Sequence, residues 1–553
     1  MLQNLFNKIF KYEEKENYEF HLPTSSNNID ESFFEKSDTE IVSDSLETNL
    51  NYLKVKYNML INSDIKIRNF YINFQNKSIS AFLLYIDGIV NGKDINDFIL
   101  QPLFLKNSIK MDVHSQILEM PKKQKDNKLE DFLYNSLIPQ NNLSKESEFQ
   151  KIISKVNLGF CALFVEGISS CICIESKGFK ERSFDKPVTE AVVKGSHEGF
   201  VENLRTNTSM LRRIINNEKL IIEEVQIGNL NKNKVSICYL NDITNDDLVT
   251  EVKYRLNNLK IDYLLSSNQL EQFIKDDLTT AFPQTISTER PDKASNYLML
   301  GRIVLLVNGS PFSIVLPATL LDFLTSPEDF NLNYHYANFL RLLRAIALVC
   351  ALLVPGLYVA ITMFHYELIP TELLFAIIAS REAIPFPIIF EIIIMEICFE
   401  LIQEASIRVP SSFSTTVGII GALILGDAAI SASIVSPILI IIVAFSAICA
   451  FTIPDNSLRF AIRMFRFMYV VLGYIAGFLG IALGFFIHFI ILSNQSSFGI
   501  PFFSPYIPFN NLSKNENLFM QPVWKRETRN SSLNTKKPKL EPHISMKWRN
   551  HGK

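Results

Sequence analysis

The stretch from Ala345 to Asn510 holds apolar runs that are long, nearly free of charge and consecutive. Ala345–Phe364 has 20 residues without a charge, entered after Arg341 and Arg344. Val409–Gly426 has 18, Ala428–Pro454 has 27 and Phe467–Leu492 has 26, with Asp427 between the first two of these. At ~1.5 Å per helical residue each approaches the ~30 Å of a bilayer's hydrocarbon core. One such run alone could be a buried helix of a soluble protein; the succession predicts an all-α, multi-pass membrane domain over residues 341–510. Pro355 and Gly356 are expected to kink the first helix and are its candidate gate. Gly473, Gly477, Gly480 and Gly484 recur at near-helical spacing, which suits close helix packing in lipid.

Averages conceal this division. With 54 basic and 57 acidic side chains the net charge is −3, which gives no sign of a nucleic-acid partner. Residues 1–60 are polar and acidic and are expected to be poorly ordered, having little apolar surface to offset the entropy of ordering. Beyond them strand-like and helix-like segments alternate, which predicts an α/β amino-terminal region of two small subdomains, 61–150 and 151–285. That pair is expected to fold as a module on its own. Residues 286–340 read as a connector. In it the uncharged Ile303–Leu321 is either a spanning helix or a hairpin over 303–316, with Asn308-Gly309 as its turn. There is no secretory signal, and the tail 511–553 carries ten basic against three acidic residues. Both observations place the termini in the cytosol. Seven cysteines without a C-x-x-C pair read as reduced packing residues. No phosphate loop, nucleophile elbow or zinc spacing occurs, so no enzyme, cofactor or metal is expected.

The acids between Pro370 and Pro410 are the candidate site. At about 100° per residue Glu396, Glu400 and Glu404 fall on one helix stripe, with Glu391 on another face. A carboxylate at bilayer depth costs roughly 2.5–3.5 kcal/mol, so such a stripe must face water, cations or protein rather than lipid. Two readings remain open. The acids line a pore or cavity, or they are structural, with Arg408 pairing Glu404 at i,i+4.

Short motifs in one order carry a resemblance over about residues 85–508. They include Tyr85-Ile86-Asp87-Gly88, Gly199-Phe200-Val201-Glu202-Asn203, Phe282-Pro283-Gln284 and Thr288-Glu289-Arg290-Pro291-Asp292. Pro355-Gly356-Leu357-Tyr358, Ser380-Arg381-Glu382 and Phe498-Gly499-Ile500-Pro501 follow in the apolar half. The chain resembles the A subunits of spore germinant receptors, the GerA family. It departs from them at Lys194-Gly195-Ser196-His197, where the family more often has an Arg-Gly-Pro-Arg stretch. The resemblance implies a multi-pass protein of the spore inner membrane that works with a transporter-like B subunit and a lipoprotein C subunit. It further implies a ring, a pentamer, acting as a nutrient-gated cation channel, with membrane lipid as surroundings. A secondary transporter and a non-conducting scaffold for the B and C subunits are the alternatives. Glu289, Arg290 and Asp292, just before the apolar half, are candidates for coupling the two halves.

Overall fold

Ile65–Phe74 (β1) and Lys77–Ile86 (β2) pair antiparallel along their whole length, from Ile65 opposite Ile86 to Phe74 opposite Lys77. In the computed structural model the described residues are 20–22, 40–74, 77–105, 129–178, 187, 189–192, 194–408, 426–507, 519–522, 526 and 528–540. They divide into two units. The first is drawn from residues 1–276, 285–317 and 528–542, the second from 277–284, 318–527 and 543–553.

Unit 1 contains two five-stranded antiparallel sheets. Leu143–Glu146 (β3), Phe160–Val165 (β4) and Cys171–Glu175 (β5) complete the first, in the order β1-β2-β4-β5-β3. All six residues of β4 are buried, and Phe82 and Phe164 stack at 4.7 Å between ring centroids. Two helices flank this sheet, Leu46–Lys56 (α1) and Phe149–Asn157 (α2), and Tyr52 of α1 lies 4.3 Å from Phe149. The poorly ordered segment expected up to residue 60 therefore ends sooner: Leu53 and Tyr57 are fully buried.

The second sheet holds Leu220–Ile227 (β6), Asn233–Leu240 (β7), Ile286–Thr288 (β8), Ile303–Val307 (β9) and Ser313–Leu316 (β10), in the order β6-β7-β9-β10-β8. Its helices are Leu204–Ile214 (α3), Asp246–Asn257 (α4), Ser267–Ile274 (α5) and Pro291–Met299 (α6). Asn203 caps α3 through Thr206 N, and Asn245 caps α4 through Asp247 N. Two boundaries read from sequence move. The strands 160–175 join the first sheet, so the subdomain border lies after 178 rather than near 150. The 286–340 connector supplies three strands of the second sheet, and Ile303–Leu316 is a hairpin, not a span. A segment cut at residue 285 would lack β8, β9 and β10, so the expected 61–285 module is incomplete.

The two subdomains of unit 1 are joined through a buried ion pair. Arg212 of α3, 3% exposed, donates to both carboxylate oxygens of Asp64 at 2.7 and 2.9 Å and to Asn62 Oδ1 at 3.0 Å. Asn62 in turn accepts from Ile222 N at 2.9 Å. Residues 528–540 return to this unit. Arg529 donates to the carbonyls of Met299, Lys537 and Lys539, while Lys536 and Lys537 reach Asp246 and Asp242 at 2.6 and 2.8 Å. Burial pushes the Cys161 thiol up to about 12 and raises Cys171 and Cys238 as well. These thiols stay protonated near neutrality and are expected to resist iodoacetamide in the folded chain, as mass spectrometry would record.

Unit 2 is helical. Leu320–Leu324 (α7) leads to Tyr334–Phe364 (α8), Thr371–Arg381 (α9), Ile388–Arg408 (α10), Pro437–Phe451 (α11) and Asn456–Asn494 (α12), and the short strands Ser496–Ser497 (β11) and Ile500–Pro501 (β12) pair after it. Among the described residues two helices, α8 and α12, are long and apolar enough to cross a membrane, and α11 is a shorter apolar one. The run Val409–Gly426 lies, but for its last residue, outside the described residues. α8 continues through Pro355 without a break. Non-helical backbone falls inside α12, at Ala476 (φ −137°, ψ 15°) and Gly477 (φ 59°, ψ −138°). Gly477 occupies a backbone region that side chains rarely tolerate. The chain reverses at it. Tyr469 and His488, 19 positions apart and so about 28 Å apart in a straight helix, hydrogen-bond at 3.2 Å.

Close approach explains the glycine next to Pro355. A Cβ on Gly356 would lie 2.6 Å from the carbonyl oxygen of Tyr469, so α8 and α12 meet backbone to backbone. Gly356→Val is expected to cost about 1–3 kcal/mol through overpacking. Gly426→Ala, where a Cβ meets nothing within 4 Å, is the control, with thermal unfolding in detergent as the readout.

Candidate functional site

The acids of α10 lie inside unit 2. Glu391 and Glu396 are fully buried, and each faces an arginine from another helix. Glu391 accepts from Arg381 of α9 at 2.9 Å and from Ser436 N, at the start of α11, at 3.3 Å. Glu396 lies 2.6 Å from Arg466 of α12. Glu400, one turn on, takes Arg466 at 3.2 Å and Arg463 Nε at 2.8 Å. Arg466, 3% exposed, also donates to Ser446 Oγ of α11 at 3.0 Å. The cluster thus sets two carboxylates against two guanidiniums and ties α10, α11 and α12 together. Glu404 stands apart: its side chain is 60% exposed and its partner is Arg408, at 2.6 Å.

Helix geometry explains the pairing. Acids four apart and arginines three apart each occupy one face, so two crossing helices can match them. Burial of a charge costs least when it is paired, and Glu396 has the ion contact with Arg466 but no hydrogen bond to either carboxylate oxygen. Arg463 and Arg466 stand just before the apolar run Phe467–Leu492, a position where basic residues also mark the cytosolic side of a membrane segment. Their spacing was the available sign that they answer Glu396 and Glu400. Asp329, fully buried, is a further acid that sequence reading passed over; it binds Arg341 at 3.1 Å and Arg344 at 2.7 Å, at the start of α8.

The candidates for coupling the two halves behave differently. Arg290, fully buried, donates to Asp292 at 2.7 Å and to the carbonyls of Glu190 and Ser196. Glu289 accepts from Thr189 N at 3.2 Å and holds Phe200 N through its carbonyl at 2.7 Å. These contacts fasten the 189–200 loop to β8 and α6 inside unit 1. Among the described residues no group of three or more His, Cys, Asp or Glu is placed to hold a metal ion.

The described residues thus comprise an α/β unit with two antiparallel sheets and an apolar helical unit with buried charge pairs. The chain matches the family described as Bacillus/Clostridium GerA spore germination protein over residues 51–532, and it belongs to that family. Spore germination protein KA of Bacillus subtilis (strain 168) is 34% identical over 501 residues, 90% of this chain and 88% of that one. Spore germination protein GerLA of Bacillus cereus is 34% identical over 72% of this chain and 81% of its own length. The uncharacterized membrane protein YfkQ of B. subtilis is 35% identical over 84% and 87%. Among solved structures, the N-terminal domain of the A subunit of the Bacillus megaterium spore germinant receptor GerK3 is 30% identical. That match covers 51% of this chain and 98% of that one, with a TM-score of 0.38.

Proposed function

We propose that this chain is the A subunit of a nutrient receptor in the spore inner membrane, acting in germination together with a transporter-like B subunit and a lipoprotein C subunit. The observation that carries this reading is the family match over residues 51–532, which takes in both units. Unit 2 is the multi-pass membrane domain. The chain leaves unit 1 at Pro317 and rejoins it at Thr528, so the intervening segment crosses the membrane an even number of times. The arms of α12 go and return, and α8 is then matched by an odd number of crossings between residues 366 and 455. Unit 1 and the tail face the cytosol together. Cysteines introduced at the exposed positions Leu230 and Lys536 are expected to stay unlabelled by an impermeant maleimide applied outside.

The finer reading is a ring of copies, a pentamer, that passes cations when nutrient binds. Glu404, exposed on α10, repeats once per subunit in such a ring and attracts cations there. Glu391, Glu396 and Glu400 join it when their arginines let go, with Pro355 and Gly356 marking the close α8–α12 contact that changes. A non-conducting scaffold is the second reading, and the balance of Glu396 and Glu400 against Arg463 and Arg466 favours it. Bilayer conductance of the receptor reconstituted with its B and C subunits separates the two. A cation current reduced several-fold by Glu404→Gln supports the channel, and no current at any nutrient concentration supports the scaffold.

A further inference from the structure

Three arginines gather at the start of α8, around the fully buried Asp329. Arg341 gives Nε to that carboxylate at 3.1 Å, and Arg344 gives Nη1 to its two oxygens at 2.9 and 2.7 Å. Arg526 lies over the ring of Phe330, the next residue, 5.5 Å from its centroid. The segment that brings Arg526 is pinned to α8, where Asn338 and Met520 exchange hydrogen bonds of 3.0 and 2.6 Å. Burial, and then the charge of Arg341, lower the Arg526 pKa, so the two cations feel each other. Among the described residues Asp329 is the one acid paired with these arginines, and it also accepts from Ser326 N at 3.1 Å. Three guanidiniums thus meet one carboxylate.

Each guanidinium presents five N–H donors. Beyond Asp329, Arg344 reaches the carbonyl of Leu324 at 3.3 Å, and Arg526 Nε reaches that of Gln521 at 2.9 Å. The Nη groups of Arg341 and Arg526 have no acceptor among the described residues. The side chains of Arg341 and Arg344 are 9% and 11% exposed and Arg526 is half-buried, so the cluster is not sealed. Cations so far removed from water cost free energy until a counter-charge with several acceptor oxygens joins them. Water fills the donors but leaves the charge.

We propose that Arg341, Arg344 and Arg526 form a binding site for a phosphate group, carried by a lipid headgroup or free in solution. A phosphate offers several oxygens at once, and planar guanidinium forks match its geometry. Its charge supplies what Asp329 leaves uncompensated. The lipid source rests on the membrane reading of unit 2, in which Arg344 stands directly before the uncharged run Ala345–Phe364, at the depth of the headgroups. The anion site itself does not rest on that reading.

The test uses the full chain in detergent micelles, with native mass spectrometry to count bound lipid. From an equimolar mixture, phosphatidylglycerol should be retained over phosphatidylcholine, whose choline neutralises its phosphate, by about fivefold for each arginine engaged. Arg526→Gln should lower that preference about fivefold. Arg341→Lys keeps a charge facing Asp329 but loses the fork; it should also weaken retention, and it serves on its own should the first variant fail to fold. Inorganic phosphate is the second arm. Displacement of phosphatidylglycerol by millimolar phosphate, lost in Arg526→Gln, would assign the site to a soluble phosphate. Equal retention of the two lipids without phosphate binding, or a preference unchanged in both variants, would overturn the proposal. Flotation with phosphatidylcholine vesicles reports separately on the membrane reading, since a chain left behind in solution refutes that reading and leaves the phosphate arm to decide the site.

Discussion

Asp64→Ala is expected to lower the stability of unit 1 by about 3–5 kcal/mol, the usual cost of removing one partner from a buried ion pair. Arg212 would be left 3% exposed, its bidentate carboxylate gone and Asn62 as its remaining side-chain acceptor. The loss should be concentrated where the subdomains join. Amide hydrogen exchange is the suitable readout, because it resolves local opening from global unfolding. Protection should fall by about two to four orders of magnitude in α3 and at the β6 start, where Ile222 N and its carbonyl are held by Asn62 and Ser63. Protection in β4 and β5, remote from the pair, should fall only as far as global stability does. A uniform drop of less than tenfold would mean that the pair is solvated and the junction held by other contacts.

In unit 2 the corresponding expectation concerns Glu396→Gln. Arg466 keeps Glu400, but two guanidiniums then share one carboxylate in an interior that tolerates no spare charge. A loss of about 3 kcal/mol is expected, read as a lowered unfolding midpoint in detergent. The decisive comparison is the double variant Glu396→Gln/Arg466→Met. Removing both charges together should recover much of the loss, since a well-packed apolar replacement of a buried pair is often neutral. A pore-lining role for Glu396 alone makes the opposite forecast, with little change in stability and altered cation flux. Equal stability of Glu396→Gln and the parent chain would release Glu396 from the pairing described above.

How much of this was legible in the sequence depended on whether the governing signal was local. Charge-free runs, the Asn308-Gly309 turn and the i,i+4 pair of Glu404 and Arg408 depend on neighbours, and each could be read from residues a few positions apart. Strand membership could not. β4 and β5 look like the start of a second unit because they follow a helix, yet their partners are β2 and β3, and antiparallel pairing leaves no mark on sequence distance. The acids illustrate the middle case. Their face was legible from spacing, but what lay opposite depended on α12 crossing α10 some sixty residues later. The last apolar run, Phe467–Leu492, has arginines before it and the basic tail after it, which one straight span could not place on one side of a membrane. The run doubles back at Gly477.

The return of residues 528–540 to unit 1 bears on how such genes can be recombined. A single crossover at residue 317 would pair one parent's sheets with the other parent's tail. Lys536, Lys537 and Arg529 would then meet a foreign Asp246, Asp242 and Met299 loop. Keeping both sheets together with residues 528–540 from one parent requires at least two breakpoints, with residues 318–527 carried between them as an insertion. Chimaeras between relatives should therefore swap residues 318–527 as a cassette, leaving both ends of the gene from one parent.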